Sequence, residues 1–168
     1  MKQFLGYFKY KTKDFIIQSY NRLKLRLKGH KVGTDAVFYS AEFNGICDVR
    51  DHAIVGPKVE LAGNNIIGAG AKLSNIKIGE KTHIDSGVIC TGYGNGKIII
   101  GKECYIGIYN VLDWSDNINI GDFVQIAGPT TALWTHSGAL MCLNSIELNN
   151  KSKEFRPTAP IRIESNVY

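Results

Sequence analysis

The chain has 168 residues, 44% hydrophobic and 21% charged, a balance that excludes a disordered polyelectrolyte and fits one globular domain with a short appendage. Its eighteen glycines against four prolines suit turn-rich β structure, and no apolar run approaches the ~18 residues that mark a membrane-spanning helix. The net charge of +5 is lopsided: residues 1–31 hold nine Lys/Arg and one acid, a net of +8, and the remainder carries −3.

The opening MKQFLGYFKYKTKDF lacks the unbroken apolar core and small-residue cleavage site of a signal peptide. Residues 3–28 predict a helix. Phe4, Phe8, Phe15, Ile16, Leu23 and Leu27 recur at spacings near three, four and seven, with Lys and Arg between them, and Gly29 is a plausible stop. Two readings of this basic segment (residues 1–31) stay open. It packs over the end of the domain that follows, or it lies on an anionic membrane surface. Aromatic residues are present, but no nucleic-acid-binding motif accompanies them, so nucleic acid is not an expected partner.

From residue 32 onward the pattern has a period of six, which belongs to neither a helix nor an ordinary strand. Val49, Val55, Leu61, Ile67 and Leu73 step by six; Ile78 and Ile84 follow, then Ile100, Ile106 and Leu112, then Ile120, Ile126 and Ala132. Gly often takes the second place of the hexad, as in Val55-Gly56 and Ile67-Gly68, and is expected to supply backbone freedom at a turn. The fifth place takes a small residue: Ala53, Val59, Ala71, Thr82, Val88, Cys104, Val124 and Val167. A triangular solenoid satisfies this period. Each wall is one short strand, each corner one turn, and three hexads make a coil whose large aliphatics point inward.

Three stretches interrupt the repeat. CTGYGNGK (90–97) reads as a corner loop, too short a glycine cluster for a nucleotide loop. WSDN adds about two residues between Leu112 and Ile120. Residues 133–160 do not repeat at all, and a segment of that length in a compact domain is usually functional or disordered. The hexads resume at Ile161 and run to Tyr168 with no capping element evident, so the domain of residues 32–168 reads as ending mid-solenoid.

The four cysteines show no paired spacing, which argues against a disulfide framework or a zinc site; reduced thiols fit a cytoplasmic protein, and the basic helix a peripheral place on the inner membrane face. Cys90 and Cys104 fall on core places of the hexad. His52 and His83 fall on outward places and read as surface residues, while His30 follows the helix.

The hexads resemble those of the hexapeptide-repeat acyltransferases, over residues 32 to 168. The resemblance implies an all-β solenoid, a left-handed parallel β-helix of triangular coils with an N-terminal α-helix. The handedness rests on the resemblance alone, because general crossover rules favour the opposite hand. Within IAGPTTALWTHSG (126–138), Ala127, Gly128, Trp134, Thr135 and His136 are similar to a motif of O-acetyltransferases that modify sugars of surface polysaccharides, and API-x-I-x-x-N-V-Y (159–168) is similar to the coil after the active-site loop in those enzymes. The resemblance implies transfer of acetyl from acetyl-CoA, as co-substrate and with no metal, to a small-molecule or lipid-linked sugar acceptor, by a homotrimer whose sites lie between neighbouring prisms.

A sugar hydroxyl must lose its proton as it attacks a thioester, and neutral imidazole is the natural base near pH 7. His136 is the candidate catalytic residue. Asp113 or Asp116 is expected to lie one coil below it and to orient it; the family resemblance also gives an Asp near Asp113 a contact with the acceptor. Trp134 stacks on the sugar or pins the loop. The resemblance gives Gly128 and Ala159 backbone contacts with coenzyme A. Two other classes stand beside this reading: a zinc hydratase on the same fold, which needs three converging histidines, and a non-catalytic scaffold or assembly subunit.

Overall fold

The computed structural model describes residues 2–148 and 154–168, with residues 2–12 as backbone. A helix, Lys2–Leu27, leads into a left-handed parallel β-helix. Three walls of six parallel strands each enclose the core. The first wall stacks Lys31–Val32, Asp48–Val49, Ile66–Ile67, His83–Ile84, Tyr105–Ile106 and Gln125–Ile126. The second stacks Val37–Phe38, Ile54–Val55, Lys72–Leu73, Ile89–Thr91, Val111–Asp113 and Ala132–Leu133. The third stacks Glu42–Phe43, Val59–Leu61, Ile76–Ile78, Ile98–Ile100, Ile118–Ile120 and Ile161–Ile163.

Hexad aliphatics make the core. Val49, Val55, Leu61, Ile67, Ile84, Ile106 and Leu112 are fully buried, each stacked on its counterpart one coil away. The small fifth residues fit beneath the corners, and all of those named above are buried except Val167, which is exposed. Asparagine takes this place twice. Asn65 donates from Nδ2 to the Gly79 carbonyl at 2.7 Å, and Asn110 to the Ile126 carbonyl at 3.2 Å, so each buried amide is satisfied by a backbone carbonyl at the corner.

The structure corrects the role expected of the second-place glycines. None of Gly56, Gly68, Gly79, Gly101, Gly107 and Gly121 has positive φ. The left-handed residue is instead the fourth of the hexad, and it is often not glycine: His52, Lys58, Lys81, Glu103, Tyr109 and Phe123 all have φ between 56° and 60°. Each costs roughly 1 kcal/mol of backbone strain, which the stacked coils hold in place. Gly is needed at the second place because coils approach closely there. A Cβ on Gly79 would stand 2.5 Å from the carbonyl carbon of Gly101, and one on Gly56 2.6 Å from the Leu73 oxygen.

Residues 31–43 form a complete first coil, with Glu42–Phe43 paired to Glu60–Leu61. One register differs from expectation. In the last coil Leu133, not Ala132, is the inward residue, because Leu133 pairs with Leu112 and Ala132 with the outward Val111. The corner of residues 127–131 holds one residue more than the corner of residues 107–110 one coil below, which shifts the phase by one.

The N-terminal helix packs on the first coil through polar groups. Gln18 Oε1 accepts the Phe38 N–H at 2.9 Å, and its Nε2 lies 3.4 Å from the Phe38 carbonyl, so one amide side chain pairs both edge groups of the strand. Arg22 donates to the Ala36 carbonyl at 3.1 Å and Arg26 to the Val32 carbonyl at 2.7 Å. Phe15, Ile16, Leu23 and Leu27 face solvent; the side chains of Phe4 and Phe8 lie outside the described residues.

Adjacent positions on one strand test this division of labour. Ile98→Ala empties the interior and is expected to cost about 2–5 kcal/mol, while Ile99→Ala changes an exposed side chain and should cost under about 1 kcal/mol. Urea denaturation of both variants reads the difference.

Candidate active site

All three interruptions of the repeat leave the solenoid at one corner, between the second wall and the third. Residues 92–97 follow Ile89–Thr91, residues 114–117 follow Val111–Asp113, and residues 134–160 follow Ala132–Leu133, three strands adjacent in the second wall. Parallel stacking therefore piles the extra segments on one edge, and the candidate site is built there.

Strand Val111–Asp113 ends with its last side chain buried. The Asp113 carboxylate is 0% exposed, and every group around it donates. Ser115 Oγ donates to Oδ1 at 2.7 Å, and the Thr135 N–H donates to Oδ2 at 2.9 Å. Thr135 Oγ1 lies 2.8 Å from both Oδ2 and the Asp113 carbonyl while accepting the Asp116 N–H at 2.9 Å. His136 Nδ1 stands 2.7 Å from Oδ2. Burial pushes the Asp113 carboxyl up, but hydrogen bonds from Ser115, His136 and Thr135 together outweigh it and hold the group below its ordinary value. The carboxylate is thus ionised at neutral pH and can only accept, which assigns a proton to the facing Nδ1; in the neutral form of the ring Nε2 is then the proton-free nitrogen. Nε2 makes no hydrogen bond among the described residues.

The imidazole is held edgewise by two aromatic rings. Tyr93 lies 4.8 Å away, centroid to centroid, at 81°, and Trp134 lies 5.9 Å away at 89°. Tyr93 comes from the glycine-rich insertion, which lies flat on the next insertion: Cβ atoms at Gly94 and Gly96 would overlap the backbone of Ser115 and Asp116. Arg156, from the long loop, places its guanidinium 5.1 Å from the Tyr93 ring centroid on a cation–π contact. The ends of the long loop are zipped together: His136 bridges Thr158 in antiparallel fashion, Ser137 N–H donates to the Pro157 carbonyl at 3.2 Å, and Ala159 N–H to the Thr135 carbonyl at 2.9 Å. Within the loop a short helix, Ala139–Leu143, buries Met141.

His136, with its side chain 23% exposed, opens into a cleft of about 330 Å³ shared with Trp134, Ser137, Thr158, Ala159 and Ile161. Several sequence-derived roles shift accordingly. The Asp113 carboxylate is fully buried with both oxygens engaged, so it lies where an orienting partner of His136 is expected and away from the open surface an acceptor would approach. Asp116 does not reach His136; its Oδ1 accepts the N–H of Asn117 at 2.7 Å. Trp134 is 55% exposed, so one face remains open to the cleft and burial does not pin it. Ala159 lines the cleft. Gly128 does not; it lies at an earlier corner of the last coil with φ +90° and open space around it.

The other histidines sit elsewhere. His52 is exposed, with its Nδ1 against an Asp35 carboxylate oxygen. His83 is half-buried, not a free surface residue: it packs against the Tyr105 ring at 5.3 Å with its Nε2 shut from solvent, and burial lowers its pKa. His30 is buried under the helix, where Nδ1 accepts the Cys47 N–H at 3.2 Å.

Sequence reasoning did not assign roles to Tyr93, Ser115, Thr135 and Arg156. A signal for the first three was present: each lies in a segment following every third strand, which marks them as neighbours once strands are counted by wall. Arg156 had no such signal, since its place depends on how the long loop folds back. Compared with known proteins, the chain matches no family model and no curated protein.

Asp113→Asn should destabilise the protein by roughly 2–4 kcal/mol, because an amide cannot accept from Ser115, Thr135 and His136 together. The folded carboxyl is depressed, so its stabilisation is complete above the ordinary carboxyl value near about pH 4 and is lost as pH falls through the lower folded value. Urea midpoints of wild type and variant should therefore differ at neutral pH and converge in acid.

Proposed function

We propose that the protein is an O-acetyltransferase that moves acetyl from acetyl-CoA to a hydroxyl of a sugar, on a surface glycan or its precursor. One observation carries this reading: His136 lines an open cleft, with its Nδ1 2.7 Å from the buried Asp113 carboxylate and its Nε2 free of hydrogen bonds among the described residues. The similarity of IAGPTTALWTHSG to the sugar O-acetyltransferase motif supports the choice of reaction, since the histidine of that motif is the residue that Asp113 orients.

In this mechanism the acceptor hydroxyl donates its proton to His136 Nε2 as its oxygen attacks the thioester carbonyl. The resulting imidazolium is stabilised by Asp113, which needs no proton of its own. The tetrahedral intermediate collapses, the C–S bond breaks, and the departing thiolate takes the proton from Nε2. The exposed face of Trp134 suits a pyranose ring, and Ala159 at the rim suits a backbone contact with the donor. Tyr93 and Trp134, set edgewise to the imidazole, keep it from rotating off the carboxylate.

His136→Ala should abolish transfer, with a loss of about 10²–10⁴ in rate, while the melting temperature barely moves, because the hexad core is untouched. His52→Ala and His83→Ala should retain near-normal rates. Thiol release from acetyl-CoA with a panel of sugar acceptors measures all three. A fully active His136→Ala protein would sink the mechanism and favour a non-catalytic scaffold.

We further propose a homotrimer with the His136 cleft facing a neighbouring prism. Support comes from the resemblance and from the position of the His136 cleft, which opens on the surface of the chain. Analytical ultracentrifugation at micromolar protein should give a trimer; a monomer would count decisively against this arrangement.

A further inference from the structure

The N-terminal helix docks on the solenoid with the unexpected side. Its contacts run through Gln18, Arg22 and Leu25, at spacings that mark one face. On the opposite face Ile16, Tyr20, Leu23 and Leu27 follow at intervals of four, three and four, and are 62%, 64%, 55% and 80% exposed. A continuous apolar stripe facing solvent on a helix that is already anchored marks an interaction surface. Lys13 and Lys24 lie beside it along one flank, both exposed, and Lys28 and Lys31 are exposed just beyond its end.

Charge selects the occupant. Residues 1–31 carry nine Lys/Arg against one acid. Two copies laid stripe to stripe would bring two such segments within a Debye length of each other, which opposes self-association. A polyanionic surface with an apolar interior has the complementary chemistry: the stripe enters the acyl boundary while the lysine stems reach back to the headgroups. Nucleic acid matches the charge but gives the stripe nothing to enter.

We infer that the exposed face of the N-terminal helix is a docking surface for an anionic lipid bilayer, on which the protein lies peripherally. No helix of the described residues is long and apolar enough to cross a membrane, so the contact is interfacial. It holds the helix against the headgroups with the solenoid attached through the opposite face.

Flotation of the full chain with vesicles tests this. Vesicles of about equal parts phosphatidylglycerol and phosphatidylcholine should carry the protein at low salt, and about 0.5 M salt, where screening is short-ranged, should release most of it. Vesicles of phosphatidylcholine alone should carry little. Lys13→Glu with Lys24→Glu should weaken binding about tenfold or more, and Ile16→Ser with Leu23→Ser should do likewise through lost insertion. Both pairs are solvent-facing, so circular dichroism melting should match wild type. Equal binding to neutral vesicles, or binding unmoved by either pair, overturns the inference. So does a fall in oligomeric state with Ile16→Ser and Leu23→Ser in a protein that ignores vesicles, which assigns the stripe to a second copy. Tighter binding to duplex DNA than to the anionic vesicles overturns it as well.

Discussion

Parallel stacking is the constraint on which everything else in this molecule depends. Each coil has to return beneath the previous one with its inward aliphatic on the same column, or the narrow core opens and backbone ladders break. A strand of two or three residues has no stability of its own; it holds only because strands above and below pair with it and its side chain is buried between theirs. Extra residues therefore cannot be absorbed within a wall. They are expelled at a corner, and since three successive coils expel theirs at the same corner, the insertions stack. The site is a consequence of that exclusion.

A buried carboxylate organises the stacked insertions. Removing an ion from water costs several kcal/mol unless donors replace the lost hydration, and Asp113 is surrounded by such donors from Ser115, Thr135 and His136. Satisfying it fixes the 114–117 segment to the start of the long loop, and with that the direction of the imidazole. The glycine-rich insertion contributes differently. Lacking side chains at Gly94 and Gly96, it lies close enough to the backbone of Ser115 and Asp116 to bring the Tyr93 ring against His136. Electrostatics sets one side of the histidine and shape the other.

At the opposite end, the first coil presents backbone groups that no earlier coil can pair. An apolar helix face would cover them without satisfying them, at a cost of about 1–3 kcal/mol for each group left bare. Gln18, Arg22 and Arg26 supply hydrogen bonds instead. Committing the polar side of the helix to this task turns its apolar side outward.

The period of six residues was enough to determine the walls, the inward aliphatics and the small fifth residues, because a repeated local pattern has one packing solution that buries every copy. The helix and its charge were equally legible, as were the three breaks and the place of His136 at the last of them. What the sequence could not determine was anything that depends on distance across coils. Asp113 and Asp116 are near neighbours in the chain with similar chemistry, and only the direction of the Val111–Asp113 strand end buries one carboxylate beside His136 and turns the other to its own backbone. Second-place glycines look like turn residues in one dimension, yet their reason lies in the coil above. Tyr93 reaches the imidazole, and Arg156 reaches Tyr93, from segments far apart in the chain, through loops whose course no repeat dictates. Periodic burial is encoded locally; the meeting of insertions is decided by stacking.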